Sequence, residues 1–334
     1  MLTGKERCLR AIKGEPIDRV PVFPLLMSLS ADRAGLTYRE FASNGVAFAE
    51  AQLGMMERFG LDAITACSDP SRVPADFGGE IVFPDKTPPF LVNPLVRSPQ
   101  DVERLGSLDP TRGRMGDRVL AVRTMVRHAG ERAMIVGWVD GAFAEACTVC
   151  GLSHFMMMLM DDPATAHRLL EKLTEIEIGF AVAQVEAGAV MIGLGDAAAS
   201  LISAEMYREF VLPYEQRIIR AVHERGGLVK LHICGNTTAL VHDVISCEAD
   251  LFNIDHTVDF GFAAQVYGEA GVAFKGNVDP VGEMLQSTPE ACRAVCREKI
   301  EIARGLRYML GAGCEIPAAT SDAVMDAFCL AWKD

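Results

Sequence analysis

Leu231-His232-Ile233-Cys234-Gly235-Asn236 sets an imidazole and a thiol two residues apart, directly after an apolar run. On an extended segment, residues i and i+2 point the same way, so both side chains can reach one ion. Gly235 lets the backbone turn away sharply behind them. A third soft donor, Cys314, follows another apolar run in Gly313-Cys314-Glu315, eighty residues beyond Cys234. One imidazole and two thiolates favour Zn²⁺. Three protein donors with no fourth Cys or His beside them leave an exchangeable position, which points to catalysis more than to scaffolding. An isolated His-x-Cys reads otherwise, as a satisfied histidine beside a buried thiol. Cys314, at an equivalent strand end, is what turns the reading to metal.

Other groups stand at strand ends too. Asp196, in Gly195-Asp196, is the best placed of three carboxylates for completing or orienting the coordination, ahead of Glu145 and Glu315, and is the candidate catalytic residue. Each of the three, taken alone, reads rather as a helix cap or a solvated charge. Asp255, Asn277 and Asp279 are candidates for binding polar groups of a cofactor, against the alternative that Asn, Asp and Pro simply make turns there. Cys147-Thr148-Val149-Cys150 is a lone C-x-x-C between an expected strand and an expected helix, and reads as coincidence in a cysteine-rich chain. The methionines around Met156-Met157-Met158 read as packing. No G-x-G-x-x-G or P-loop follows a strand, so the chain carries no nucleotide signature.

The elements that must position these residues follow from periodicity. Residues 5–13 and 38–59 are expected helices, and the proline-rich run 20–24 a first strand or edge segment. Residues 61–115 read as irregular, with a short hairpin near 79–83 or a cap over a site. Beyond 115 the pattern becomes regular. Apolar strands at 134–138, 190–194, 228–231, 251–254, 272–275 and 308–310 alternate with helices at 164–187, 204–225, 238–245, 260–269, 289–303 and 322–332. Such alternation implies a parallel sheet covered on both faces. An open doubly wound sheet and a closed (β/α)8 TIM barrel with N-terminal helical additions both fit, and length favours the barrel as one domain over residues 1–334. In a barrel, Asp196, His232, Cys234, Asp255, Asn277, Asp279 and Cys314 converge on the C-terminal face.

The whole chain sets bounds. With 334 residues, half of them apolar, it can bury a large core. A net charge of −13 without any dense basic run argues against nucleic acid. No apolar run approaches the ~20 residues needed to span a bilayer. The polar start and the ten cysteines point to free thiols in a reducing cytoplasm.

These residues resemble the uroporphyrinogen decarboxylase superfamily, and more closely its cobalamin-linked methyltransferase branch. The likeness spans nearly the whole chain. It rests on Asp18-Arg19-Val20-Pro21-Val22, Gly195-Asp196 with Ser200, and the 203–213 stretch with Tyr214. It rests further on His232-Ile233-Cys234-Gly235-Asn236, Gly276-Asn277-Val278-Asp279-Pro280 and Gly311-Ala312-Gly313-Cys314-Glu315-Ile316-Pro317. The resemblance implies a TIM barrel, a zinc held by His232, Cys234 and Cys314, and a separate corrinoid protein whose cobalamin docks over the barrel mouth. The decarboxylase branch carries arginines after the first strand to hold substrate carboxylates. Here that stretch is Phe23-Pro24-Leu25-Leu26-Met27-Ser28, without an arginine. Three readings follow: a zinc-dependent corrinoid methyltransferase acting on a thiol or an aromatic methyl ether, a metal-free decarboxylase, and a non-enzymatic binding protein stapled by zinc. Phe23, Met27 and Trp138 are expected as apolar walls of the substrate site.

Overall fold

Apolar runs in the sequence form strands of two to seven residues. In this computed structural model, which describes residues 1–333, they are β1 (Ala63–Thr65), β2 (Ile81–Val82), β3 (Phe90–Leu91), β4 (Met134–Asp140), β5 (Met191–Gly195), β6 (Leu228–His232), β7 (Leu251–Asn253), β8 (Ala273–Val278) and β9 (Tyr308–Ala312). Seven of them form one parallel sheet in the order β1-β4-β5-β6-β7-β8-β9, and β2 with β3 makes a separate antiparallel hairpin. Ile135, Val139, Ile192, Leu194, Val229 and Leu231 pack outward against helices. Their alternate neighbours Met134, Val136 and Met191 pack inward with Leu251, Ala273 and Met309. Side chains alternate faces along a strand, so one sequence builds both layers.

The helix Gly4–Lys13 closes one end of this interior. Thr3 and Glu6 cap it reciprocally, and Gly14 ends it at φ 72°, a left-handed conformation that suits glycine. Its Cys8, Ala11 and Ile12 join the inward cluster, and its Lys5 amide donates to Arg132 O at 3.2 Å, just ahead of β4. Asp62, just ahead of β1, accepts from Arg7, Arg19 and the Val22 amide at 2.5, 2.6 and 2.7 Å, which anchors the helix and the 18–23 segment together. The N-terminal ends of the strands are thereby plugged, and the C-terminal ends are left for chemistry.

In place of the expected eight-stranded barrel, the structure has a curled parallel sheet of seven strands. Residues 20–24 form no regular strand. Val22 and Leu25 make isolated parallel bridges to Leu310 and Glu315, while Asp62 N donates to Val22 O at 3.0 Å. Pro21 and Pro24 have no amide hydrogen to donate, which limits the segment to such bridges. The structure also places β1 inside the stretch expected to be irregular. Three residues are too few to show a period. The expected helix over 204–225 is two helices, Ala204–Phe210 and Leu212–Glu224, because Pro213 cannot continue the first. The expected helix over 38–59 breaks at Asn44, whose side chain accepts from Val46 N and Ala47 N to start Gly45–Phe59. No single helix among the described residues is long and apolar enough to cross a membrane.

Candidate metal centre and substrate pocket

His232 is the last residue of β6 and Cys234 lies two beyond it, while Cys314 follows β9. The fold brings the three together, with their donor atoms all within 4.8 Å of one another. Cys234 Sγ lies 3.2 Å from His232 Nε2 and 3.9 Å from Cys314 Sγ. Tetrahedral zinc at ~2.3 Å from sulfur and ~2.0 Å from nitrogen sets its donors roughly 3.5–3.8 Å apart. The residues therefore fit a small soft divalent ion. His232 Nδ1 faces Asn253 O at 3.2 Å, and a ring N–H donating there leaves Nε2 as the acceptor turned to the thiols. The Cys314 thiol is drawn down to about 4 by the hydrogen bond from Cys234, aided by the His232 imidazole and against burial. The same shared proton, with burial, pushes the Cys234 thiol well above its ordinary range.

The loop carrying Cys234 is braced from below. The Asp255 carboxylate accepts from Thr257 N and Oγ1 at 2.9 and 2.7 Å. Burial works to raise this carboxyl, but backbone hydrogen bonds from Gly235 and Thr257 outweigh it and hold it below its usual value. Gly235 sits at φ 87°, in the left-handed region, where a Cβ would also meet Ser200 Oγ at 2.8 Å.

Beside the three donors lies a cavity of about 450 Å³, with Leu25, Met27, Pro70, Pro88, Trp138 and Leu152 among its walls. Met27 and Trp138 are thus where the sequence puts them, whereas Phe23 is not in the wall. Phe23 is fully buried among the inward side chains, with Lys275 Nζ 4.4 Å and Lys230 Nζ 5.2 Å from its ring centroid. Trp138 lies flat across β5: a Cβ on Gly193 or Gly195 would meet its ring at 2.4 or 2.6 Å.

Two acids line the cavity that periodicity does not single out. Asp69 is held by both Nη atoms of Arg114 at 2.8 and 2.9 Å. Asp140 lies 3.6 Å from Arg72 and accepts from Trp138 Nε1 at 3.3 Å. The buried Lys230 and Lys275 were equally invisible as interior charges. Burial brings the Lys230 amine down to about 8 and the Lys275 amine further. A lysine in the middle of an apolar strand, as in Leu228-Val229-Lys230-Leu231, is the signal that could have marked them.

The remaining sequence candidates fall elsewhere. Asp196 is buried and turns its carboxylate to the start of the helix Ala142–Cys150, accepting from Ala144 N at 2.8 Å. Burial, then the neighbouring Glu215, raises this carboxyl well above its ordinary value. Glu145, on that helix, is buried with neither carboxylate oxygen hydrogen-bonded. Glu315 accepts from Ser28 N and Oγ, both at 2.6 Å. Asn277 donates to Asp255 O and Val258 O at 3.1 and 2.7 Å, and with Asp279 it lines a neighbouring cavity of about 400 Å³. Asp279 caps the turn at Pro280–Leu285. Cys147 and Cys150 sit on the helix Ala142–Cys150 rather than between elements, and Cys147 reaches the pocket wall.

A curled parallel α/β sheet with an imidazole and two thiols gathered at its strand C-termini, beside an apolar cavity, defines a class: an α/β protein whose donor set could hold a soft metal at the strand ends. The chain belongs to the uroporphyrinogen decarboxylase (URO-D) family, whose model matches residues 3–334. It is 27% identical over 327 residues to a methylcobamide:CoM methyltransferase of Methanosarcina acetivorans, covering 96% of this chain and 95% of the relative. It is 30% identical over 302 residues to a uroporphyrinogen decarboxylase of Coxiella burnetii, covering 86% and 82%. The solved structure of a methyltransferase from Methanosarcina mazei superposes with a TM-score of 0.89 at 26% identity, covering 99% of this chain and 98% of that one. A B12-independent methionine synthase from Shewanella shares the fold alone, at 12% identity and a TM-score of 0.57 over 86% of this chain and 85% of that one.

Proposed function

We propose that this protein is a zinc-dependent methyltransferase that moves a methyl group between a corrinoid protein and a small thiol or methyl ether. The observation that carries the reading is the meeting of His232 Nε2, Cys234 Sγ and Cys314 Sγ at the edge of an apolar cavity. The methanogen methyltransferase relatives support it. When bound, the metal supplies a Lewis acid that lowers the pKa of a thiol or polarises an ether oxygen, and the corrinoid supplies the cobalt that gives or takes the methyl group.

The chain's own residues do the positioning. His232, fixed through Nδ1 on Asn253 O, and the two thiolates hold the ion at the pocket edge. Leu25, Met27, Trp138 and Leu152 exclude water from the reacting sulfur or oxygen. Asp196 acts through the helix Ala142–Cys150 that it caps, since Ala144, Cys147 and Thr148 of that helix form a wall. We assign polar contacts with the incoming corrinoid to the cavity of Asn277 and Asp279, with Asp255 bracing the loop between the two sites. We read the sheet as closed into a (β/α)8 barrel by residues 20–25, which hydrogen-bond to both β9 and the start of β1, and the chain as one such cytoplasmic domain.

The decarboxylase relatives favour a second reading, decarboxylation without metal. Against it, no arginine or lysine is among the residues lining the pocket, and a multi-carboxylate substrate needs such partners. Metal analysis with a methyl-transfer assay from methylcobalamin separates the two. The wild type is expected to hold about one zinc per chain, and His232→Ala and Cys314→Ser to lose both zinc and transfer. Retention of zinc and of full transfer by both variants would overturn the proposal, and metal-free turnover of a porphyrinogen would establish the alternative.

A further inference from the structure

The geometry points to an uncharged, apolar-bodied substrate for this pocket: a thiol or methyl ether carried on an arene or short hydrocarbon frame, not on an anionic one. This rests on the methyl-transfer reading and narrows it. Coenzyme M, the acceptor in the names of the methanogen relatives, is a thiol whose two-carbon arm ends in a sulfonate.

The argument is one of charge. The cavity of about 450 Å³ has room for a small molecule, and its walls include the apolar Leu25, Met27, Pro70, Pro88, Trp138 and Leu152. No lysine or arginine is among its lining residues. The carboxylates that reach it, Asp69 and Asp140, face Arg72 at 3.8 and 3.6 Å, and Asp69 is also gripped by Arg114 at 2.8 Å. Two acids and two guanidinium groups face one another there. The cavity lining thus offers no cation to an anion; the unpartnered amine of Lys230 lies behind the Trp138 ring, 4.8 Å from its centroid, and is not among the lining residues. The metal does not change this sum, because Zn²⁺ with two thiolates is neutral. A sulfonate entering would lose its water and gain no partner, and an isolated ion pays heavily for that. A hydrocarbon or aromatic body gains from the same walls.

Binding tests this independently of catalysis. Trp138 lines the cavity, so its fluorescence reports occupancy in a Trp332→Phe background. The zinc-loaded protein is titrated with 2-phenylethanol and with ethanesulfonate, which lack a thiol. We expect the neutral probe to bind at least ~100-fold more tightly, the scale set by burying an unpaired charge. Leu152→Arg, at a position 44% exposed, should narrow that ratio at least tenfold. Equal or tighter binding of ethanesulfonate, or no binding of 2-phenylethanol, overturns the inference. Zinc-loaded protein is then assayed with methylcobalamin and either 2-phenylethanethiol or coenzyme M. Preference for the former supports the inference and preference for the latter overturns it. Transfer to no thiol and from no methyl ether strikes the methyl-transfer reading itself, while the binding ratio still decides the character of the pocket.

Discussion

At the scale of single residues, the three donors depend on groups outside their own cluster. His232 can present Nε2 to the thiols only while Nδ1 is occupied by Asn253 O. Cys234 is set by a loop whose Gly235 amide is held by Asp255. Asp255→Ala removes the acceptor for Gly235 and Thr257, and should weaken zinc binding ~10–100-fold, the usual cost of losing an outer-shell partner. Competition with a chromophoric chelator measures this, and unchanged affinity would separate Asp255 from the centre. The type of each donor was legible in the sequence, because His-x-Cys on an extended segment shares a face. The role of Asp196 was not. Its position after β5 is the same whether the carboxylate faces the cavity or a helix terminus, and its contact with Ala144 is made 52 residues away along the chain.

At the scale of elements, β5 and the helix Ala142–Cys150 set the pocket wall. Gly193 and Gly195 leave inward gaps on β5, and the Trp138 indole fills them from β4. Gly195→Ala puts a Cβ 2.6 Å from the ring. It should push Trp138 into the cavity and cost about 1–3 kcal/mol, as overpacking does. Urea unfolding followed by tryptophan fluorescence reads the loss, and an unchanged midpoint would show that the ring moves freely. Strands such as β4 and helices such as Phe260–Glu269 could be placed from apolar runs because those runs are long enough to show a period. β1 could not, and the breaks at Asn44 and Val211 depend on capping and on Pro213, which periodicity averages away.

At the scale of the whole molecule, buried acids make stability depend on pH. Burial pushes the Glu215 carboxyl up to about 7 from 4.5, against the hydrogen bond from Tyr207. A carboxyl raised in the folded state contributes fully below the unfolded value, and that contribution is lost as pH rises through the folded one. Between pH 4.5 and about 7, this one group should therefore cost about 3 kcal/mol of stability. Glu215→Gln keeps an acceptor for Tyr207 and cannot ionise, so its unfolding free energy should fall less across that interval. Parallel urea titrations at pH 5 and pH 7.5 give the difference, and matching slopes for the two proteins would count against it.

The sequence by itself determined the donor chemistry, the alternation of strands and helices, and the strand ends on which His232, Cys234 and Cys314 stand. These follow from local rules: side-chain type, a period of two along a strand, and turn residues at its end. Only the tertiary structure decided that Cys314 meets Cys234 across eighty residues, that Pro70 and Pro88 join Trp138 in one wall, and that arginines neutralise Asp69 and Asp140 behind it. Those contacts join segments far apart in the chain, and they exist because the sheet curls until β6 and β9 present their C-terminal ends to the same space.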